Sequence, residues 1–195
     1  MKKILFLVLI LAGTIYSQYS PTSKARGFFL SFGVGPRLPV SNFATTTDLG
    51  YGFNIELAYT DNDYLPFFLF GKTGFEVYPG SQNFYQETQY TNLSTQFLPV
   101  NIGLRYYFAP IAENVVLFMP FAEFSASYLY IQRLHQFKPG FGLTNYLEEN
   151  SKLGFSGGAG LSMFLMELLF NYNYFEKHQF ISVDLKVRLP LFISI

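Results

Sequence analysis

The chain has 195 residues with no cysteine, and its 13 basic residues balance 13 acidic ones. Without cysteine there can be no disulfide, thiolate metal site or lipoprotein anchor, and the even charge argues against the clustered basic face that nucleic acid requires. Aromatics make up 20% of the residues and charged ones only 13%, where soluble domains carry roughly 25% charged residues, so a water-exposed surface is hard to build from this chain.

The N-terminus reads as a secretory signal peptide: Lys2 and Lys3, an apolar run from Ile4 to Ala12, then Gly13, Thr14 and Ser17. Cleavage is expected between Ser17 and Gln18, which divides the chain into a signal peptide (1–17) and one domain (18–195). The apolar run is well short of the ~20 residues that span a bilayer as a helix. Removing Lys2 and Lys3 leaves 11 basic residues against 13 acidic ones, a formal charge of −2. No later segment has the ~18 consecutive apolar residues of a membrane helix. An apolar chain without apolar helices must satisfy its backbone polar groups in another way, and in lipid the other way is a closed barrel.

Alternation with period two predicts eight strands. The first covers Phe28 to Arg37, with Phe28, Leu30, Phe32 and Val34 on its apolar face. The second, Tyr51 to Thr60, opposes Tyr51, Phe53, Ile55, Leu57 and Tyr59 to Gly52, Asn54 and Glu56. The third, Leu65 to Tyr78, is less regular, because Phe68 and Phe70 share a face with Lys72 and Glu76. The fourth covers Phe97 to Phe108, the fifth Phe118 to Ile131, the sixth Leu153 to Phe164 and the seventh Leu168 to Phe175. The last, from Phe180 to Ile195, sets Ile181, Val183, Leu185, Val187, Leu189 and Leu191 against Ser182, Asp184, Lys186, Arg188, Pro190 and Phe192. Eight is an even number, as bacterial outer-membrane barrels require.

Short turns at Asp61 to Tyr64, Ala109 to Leu117 and near Met166 would face the periplasm. Longer loops at Pro39 to Gly50, Pro79 to Gln96 and Gln132 to Lys152, with a tight turn at Glu176 to Gln179, would face outside. Pro66, Pro99, Pro120 and Pro190 are expected near strand ends, where a missing N–H does least harm.

A soluble barrel would fill its polar face with Lys, Glu and Asp, whereas this one is mostly Gly, Ser and Asn, as suits a narrow lumen. The apolar face ends in aromatic belts: Tyr51, Tyr128, Tyr130, Tyr172 and Tyr174 on one side, Tyr59, Tyr106 and Phe108 on the other. The reading is an all-β, eight-stranded antiparallel up-and-down transmembrane barrel. With it, the signal-peptide pattern before Gln18, "FLPVNIGLRYYF" (97–108), "PFAEFSASYLYI" (120–131), "GFSGGAGLS" (154–162) and "ISVDLKVRLPLFISI" (181–195) resemble the small outer-membrane β-barrel proteins common in Bacteroidetes and related phyla, similar in architecture to OmpA and OmpX. The resemblance implies an integral outer-membrane protein inserted by the barrel-assembly machinery.

Ten charges fall on the expected lumen face: Arg37, Lys72, Arg105, Lys186 and Arg188 against Glu56, Glu76, Glu123, Glu167 and Asp184. Five against five suits a closed salt-bridge network, since an unpaired buried charge costs several kcal/mol. The competing reading is an ion path. The motif Gly154-Phe155-Ser156-Gly157-Gly158 matches a nucleophile elbow in letters, but it lies in an alternating strand with no helix after it. Glu176, His178 and Ser182 form the alternative enzymatic reading, a lipid-modifying hydrolase or acyltransferase at the outer rim. His135 and His178 are too far apart in sequence to define a metal site. Phe84, Tyr85, Tyr90, Phe137, Phe141 and Tyr146 are loop aromatics that could bind a partner or pack on one another. The expected protein is non-enzymatic, acting in envelope structure or in surface binding through its loops. Its partners are outer-membrane lipid, the assembly machinery and an extracellular ligand, with no nucleic acid, and no cofactor or metal is read.

Overall fold

The computed structural model describes residues 26–61, 65–111 and 118–194. The expected signal peptide, its expected cleavage position and most of two turns expected to face the periplasm (62–64 and 112–117) lie outside the described residues. Eight strands follow in chain order: β1 (Arg26–Val40), β2 (Gly50–Asp61), β3 (Leu65–Pro79), β4 (Tyr90–Tyr107), β5 (Phe118–Phe137), β6 (Tyr146–Met163), β7 (Met166–Phe175) and β8 (Gln179–Ser194). Each pairs antiparallel with its chain neighbour, and β1 closes on β8 from Arg26↔Ser194 to Val40↔Gln179. Closure leaves no sheet edge within the ring, so the ladders satisfy the backbone that lipid cannot.

Alternation sorts the side chains as the sequence predicts. On β8, Leu185 and Val187 are 45% and 43% exposed on the outer wall while Asp184 and Lys186 are buried in the lumen. Large and charged side chains project into the lumen, which in an eight-stranded barrel is just wide enough to hold them. Gly158 and Gly160 keep β6 close to β7: a Cβ on either would stand 2.3–2.4 Å from a β7 carbonyl oxygen.

Three sequence expectations change. First, the expected loops Pro79–Gln96 and Gln132–Lys152 are largely strand, because β4 begins at Tyr90, β5 runs to Phe137 and β6 begins at Tyr146. About 9–11 residues cross a bilayer; β7 has 10 and β5 has 20. β6 meets β7 only from Gly154 inward, while outward it pairs with β5 as far as His135↔Tyr146. The outer parts of β4, β5 and β6 thus project as a three-stranded sheet, about 25 Å beyond the rim at β7. Alternation does not mark them because polar residues stand on both faces, Gln132, Gln136 and Glu149 on one and Arg133, His135 and Glu148 on the other.

Second, Phe192 is not in the lumen. The register with β1 slips so that Phe28 faces Phe192 and Phe29 faces Pro190, leaving Leu191 as a bulge. The extra residue turns Phe192 to the outer wall beside Phe28, and it is 60% exposed. Third, Pro99 lies inside β4, away from its ends. The β3 ladder runs to Thr73↔Val100 and resumes at Glu76↔Phe97, skipping the residue without an N–H. Thr73 Oγ1 donates to the Pro99 carbonyl at 3.1 Å.

Between β1 and β2 a short 3₁₀ segment (Ser41–Thr45) carries Phe43 into the outer mouth of the barrel, where it is buried with Tyr78, Phe97, Leu129, Ile131, Phe175 and Phe180. Between β3 and β4 a single helix, α1 (Gln82–Glu87), lies against β4.

Candidate functional site

All ten expected lumen charges are buried, and every one has an opposite partner within 4 Å. Arg105 is the hub. The antiparallel register puts it directly across from Glu123, to which its Nε and Nη2 donate at 2.9 and 2.5 Å. Nη2 also reaches Glu56 at 2.8 Å, and Nη1 reaches Glu167 at 3.4 Å. The rings of Phe70 and Phe121 flank the guanidinium at 5.1 and 5.0 Å. Lys186 pairs with Glu56 at 2.7 Å and Lys72 with Glu123 at 3.3 Å.

Toward the periplasm, Arg188 pairs with Glu167 at 2.9 Å, donates to the Tyr107 hydroxyl, and lies among the rings of Phe29, Phe68 and Tyr107. These rings explain the irregular third strand. Phe68 and Phe70 share a face with Lys72 because they stack on arginines inside the lumen, where cation–π contacts gain from desolvation.

Toward the outside, Arg37 bridges Glu76 at 2.7 Å and Asp184 at 2.8 Å, while Tyr78 donates to Glu76 at 2.8 Å. A small polar cavity lies beside this group, lined in part by Arg37, Asn54, Lys72, Asn101 and Asp184. The aromatic cluster around Phe43 covers the outer mouth. From outside inward the lumen therefore holds an aromatic stopper, a polar cavity, a charged belt and a floor of rings on Arg188.

The projecting sheet carries a second group of residues. On its inner face, continuous with the lumen side, His135 stacks on Tyr146 with centroids 4.3 Å apart and planes 7° from parallel. Tyr90 lies 5.6 Å from His135, 4.7 Å from Phe137 and 5.2 Å from Phe84 of α1. The Tyr85 hydroxyl accepts from Leu93 N–H at 2.9 Å, covering part of the β4 edge that β3 no longer pairs. Of the expected loop aromatics, Phe84, Tyr85, Tyr90, Phe137 and Tyr146 are thus brought together, and Tyr90, Phe137 and Tyr146 lie on strands. Phe141 stands apart at the hairpin tip, 52% exposed.

The chain matches no protein-family profile and no curated protein. Solved structures do resemble it. Neisserial surface protein A aligns with a TM-score of 0.51 at 14% identity, covering 86% of this chain and 99% of that one. The attachment invasion locus protein of Yersinia pestis aligns at 0.48 and 15% identity, covering 86% and 100%. The first likeness supports the eight-stranded barrel fold. An outer wall carrying Ile102, Phe124, Phe170 and Leu185 in the open is compatible only with lipid, and antiparallel barrels of this build are the outer-membrane type. The protein is an integral outer-membrane β-barrel.

The residues of the enzymatic alternative are not assembled. Ser182 faces the lumen and accepts from Asn173 Nδ2 at 3.1 Å. His178 contacts Arg133 Nη2 through Nε2 at 3.1 Å and the Glu176 carbonyl through Nδ1 at 3.2 Å. Ser156 of the elbow-like motif is a lumen residue 2.6 Å from Ser125 Oγ.

Sequence reasoning missed two features. Phe43 is one ring in a polar loop, with no periodic signal. Arg133 and Lys152 fall within the loop expected from Gln132 to Lys152, and only the strand extensions give them a common face.

Proposed function

We propose that this protein is a plugged, non-enzymatic outer-membrane barrel that acts at the cell surface by binding, through the projecting sheet of β4, β5 and β6. The observation that carries this reading is the complete pairing of the ten lumen charges. A conducting pathway needs ions to displace those pairs, and breaking a buried pair costs about 3–5 kcal/mol. The aromatic stopper adds a second obstacle. With the lumen occupied, the sheet outside the membrane is the surface left to meet another molecule. The barrel then serves as a rigid mount that fixes the sheet's direction and height, in keeping with the small Bacteroidetes-type barrels that the sequence resembles.

Two measurements test this. Purified protein refolded into planar bilayers should give no sustained single-channel conductance; steady channels would refute the plug. Cells displaying the protein should adhere to a panel of glycan- and protein-coated surfaces better than cells in which residues 134–147 are replaced by Asn-Gly. That two-residue turn suits a shortened hairpin and leaves the barrel wall intact. Equal adhesion by the two strains would refute surface binding through the sheet.

A further inference from the structure

The inner face of the projecting sheet differs from the lumen below it in one respect. Each lumen cation has its carboxylate, but Arg133 of β5 and Lys152 of β6 have none within 4 Å among the described residues. Glu148 stands directly across from Arg133 in the register, yet its carboxylate pairs with His135 at 3.0 Å. The two cations come from different strands to one small region. Arg133 Nε donates to Thr95 Oγ1 at 3.3 Å, and its Nη2 lies 3.1 Å from His178 Nε2. His178 and Lys152 share the Glu176 carbonyl, at 3.2 and 2.5 Å. Burial beside Arg133 and Lys152 pushes His178 down to about 4, so at neutral pH it is uncharged: Nδ1–H donates to the carbonyl and Nε2 accepts from Arg133. His178 therefore orients the guanidinium without adding charge.

Next to this pair of cations lies a flat aromatic surface. Tyr146 backs onto His135 and is 50% exposed. Across-strand diagonals in a sheet span ~7–8 Å, so Arg133 and the Tyr146 ring fall within one small ligand's reach. Between them Glu148, half exposed, offers a carboxylate acceptor with lone pairs beyond its bond to His135.

Resting on the surface-binding reading above, the geometry points to a site for an acidic saccharide on this face. Arg133 and Lys152 take its carboxylate or sulfate, Glu148 accepts from its hydroxyls, and Tyr146 takes the apolar face of a sugar ring. The mixed charge selects the ligand. A DNA strand has no free sugar hydroxyl along its backbone for Glu148 to accept from, and two cations fall short of the dense basic surface that nucleic acid requires. Membrane lipid is excluded by direction, since these side chains lie on the face continuous with the lumen and lipid touches the other wall. Charge-assisted bonds from a planar guanidinium are the strongest contacts available at such a site.

The test uses the full-length mature protein refolded in lipid nanodiscs, with calorimetric titration of a galacturonate hexamer, maltohexaose, inorganic sulfate and a ten-nucleotide single-stranded DNA. The hexagalacturonate should bind saturably, and at least about tenfold more tightly than maltohexaose or sulfate alone. Arg133→Gln should weaken it about tenfold and Tyr146→Ala by several-fold, while Lys177→Gln, in the exposed turn, leaves it unchanged. Retained heat-modifiable mobility on gels shows that each variant is folded. The proposal is overturned by no saturable binding of the hexagalacturonate, by equal affinity for maltohexaose, by tighter binding of the DNA, or by an Arg133→Gln variant that binds as well as the parent. If it fails while adhesion still depends on residues 134–147, the ligand class is wrong and surface binding stands; if both are lost, the functional reading itself falls.

Discussion

Glu123→Ala is the sharpest probe of the lumen. The Glu123 carboxylate accepts from Arg105 Nε and Nη2, from Lys72 at 3.3 Å and from Asn171 Nδ2 at 2.8 Å. Its loss is felt unequally. Arg105 keeps Glu56 and Glu167, whereas Lys72 has no other carboxylate within 4 Å among the described residues. The substitution thus leaves a buried ammonium unpaired and a belt with one net positive charge. Removing one partner of a buried pair costs about 3–5 kcal/mol. The double variant Glu123→Ala/Lys72→Met removes both ends and supplies apolar volume, so it should recover much of the loss. The assay is urea unfolding in lipid vesicles, followed by circular dichroism and by the gel shift between folded and unfolded barrel. A Glu123→Ala variant within about 0.5 kcal/mol of the parent would mean that water reaches Lys72. The plug would then be refuted together with the argument from pairing.

Three further perturbations separate the barrel's parts. Leu185→Arg puts a charge on the outer wall near mid-strand and should cost about 2–4 kcal/mol in vesicles; a silent change would mean this wall does not face lipid. Phe43→Ala removes a buried ring from the stopper and should cost up to about 3–5 kcal/mol, speeding amide exchange in residues 41–49. The same variant should still fail to conduct in bilayers, because the charged belt below is intact, and channels would instead make the stopper the barrier. His178 packs on Phe43 and Phe97 and faces Arg133, Lys152 and Glu148. Its folded value of about 4 lies below the ordinary value of 6.5, so its contribution is full above 6.5 and is lost as pH falls toward 4. Proteolysis of the 41–49 segment should therefore rise between pH 7 and pH 4.5 more in the parent than in His178→Asn; equal acid sensitivity would refute this role.

How much the sequence disclosed follows the solvent. Where lipid lies on one side and a packed lumen on the other, each residue is forced to one face, and Asp184, Lys186 and Arg188 were assignable from parity alone. The pairing of Arg105 with Glu123 could be read the same way, from a hairpin of constant register. Above the rim the contrast vanishes. Residues such as Gln132, Gln136, Glu149 and Ser151 lie on strands but read as loop, because their inner-face neighbours Arg133, His135, Glu148 and Asn150 are polar too. Phe192 departs from parity because one bulged residue reverses it, and a bulge has no strong signature in a run such as Leu189-Pro190-Leu191-Phe192. Phe43 could not be found at all: its burial depends on where the mouth lies, which no local pattern encodes.

The two halves of the structure are nonetheless coupled through register. On β5 the inward positions run through Glu123, Ser125, Ser127, Leu129 and Ile131 to Arg133 and His135. A slip by one residue would place Glu123 in lipid, at a cost of several kcal/mol, and would also turn Arg133 and His135 to the far side of the sheet. In the exposed half the same slip would break the stack of His135 on Tyr146 and the rings around Tyr90, but it would put no charge into lipid. The buried charges in the membrane therefore hold the register on which the outer face depends. The same logic explains why a surface site can sit on strands with little core of their own. The outer halves of β4, β5 and β6 need only continue a pairing already decided below, and their residues are left free to suit a ligand.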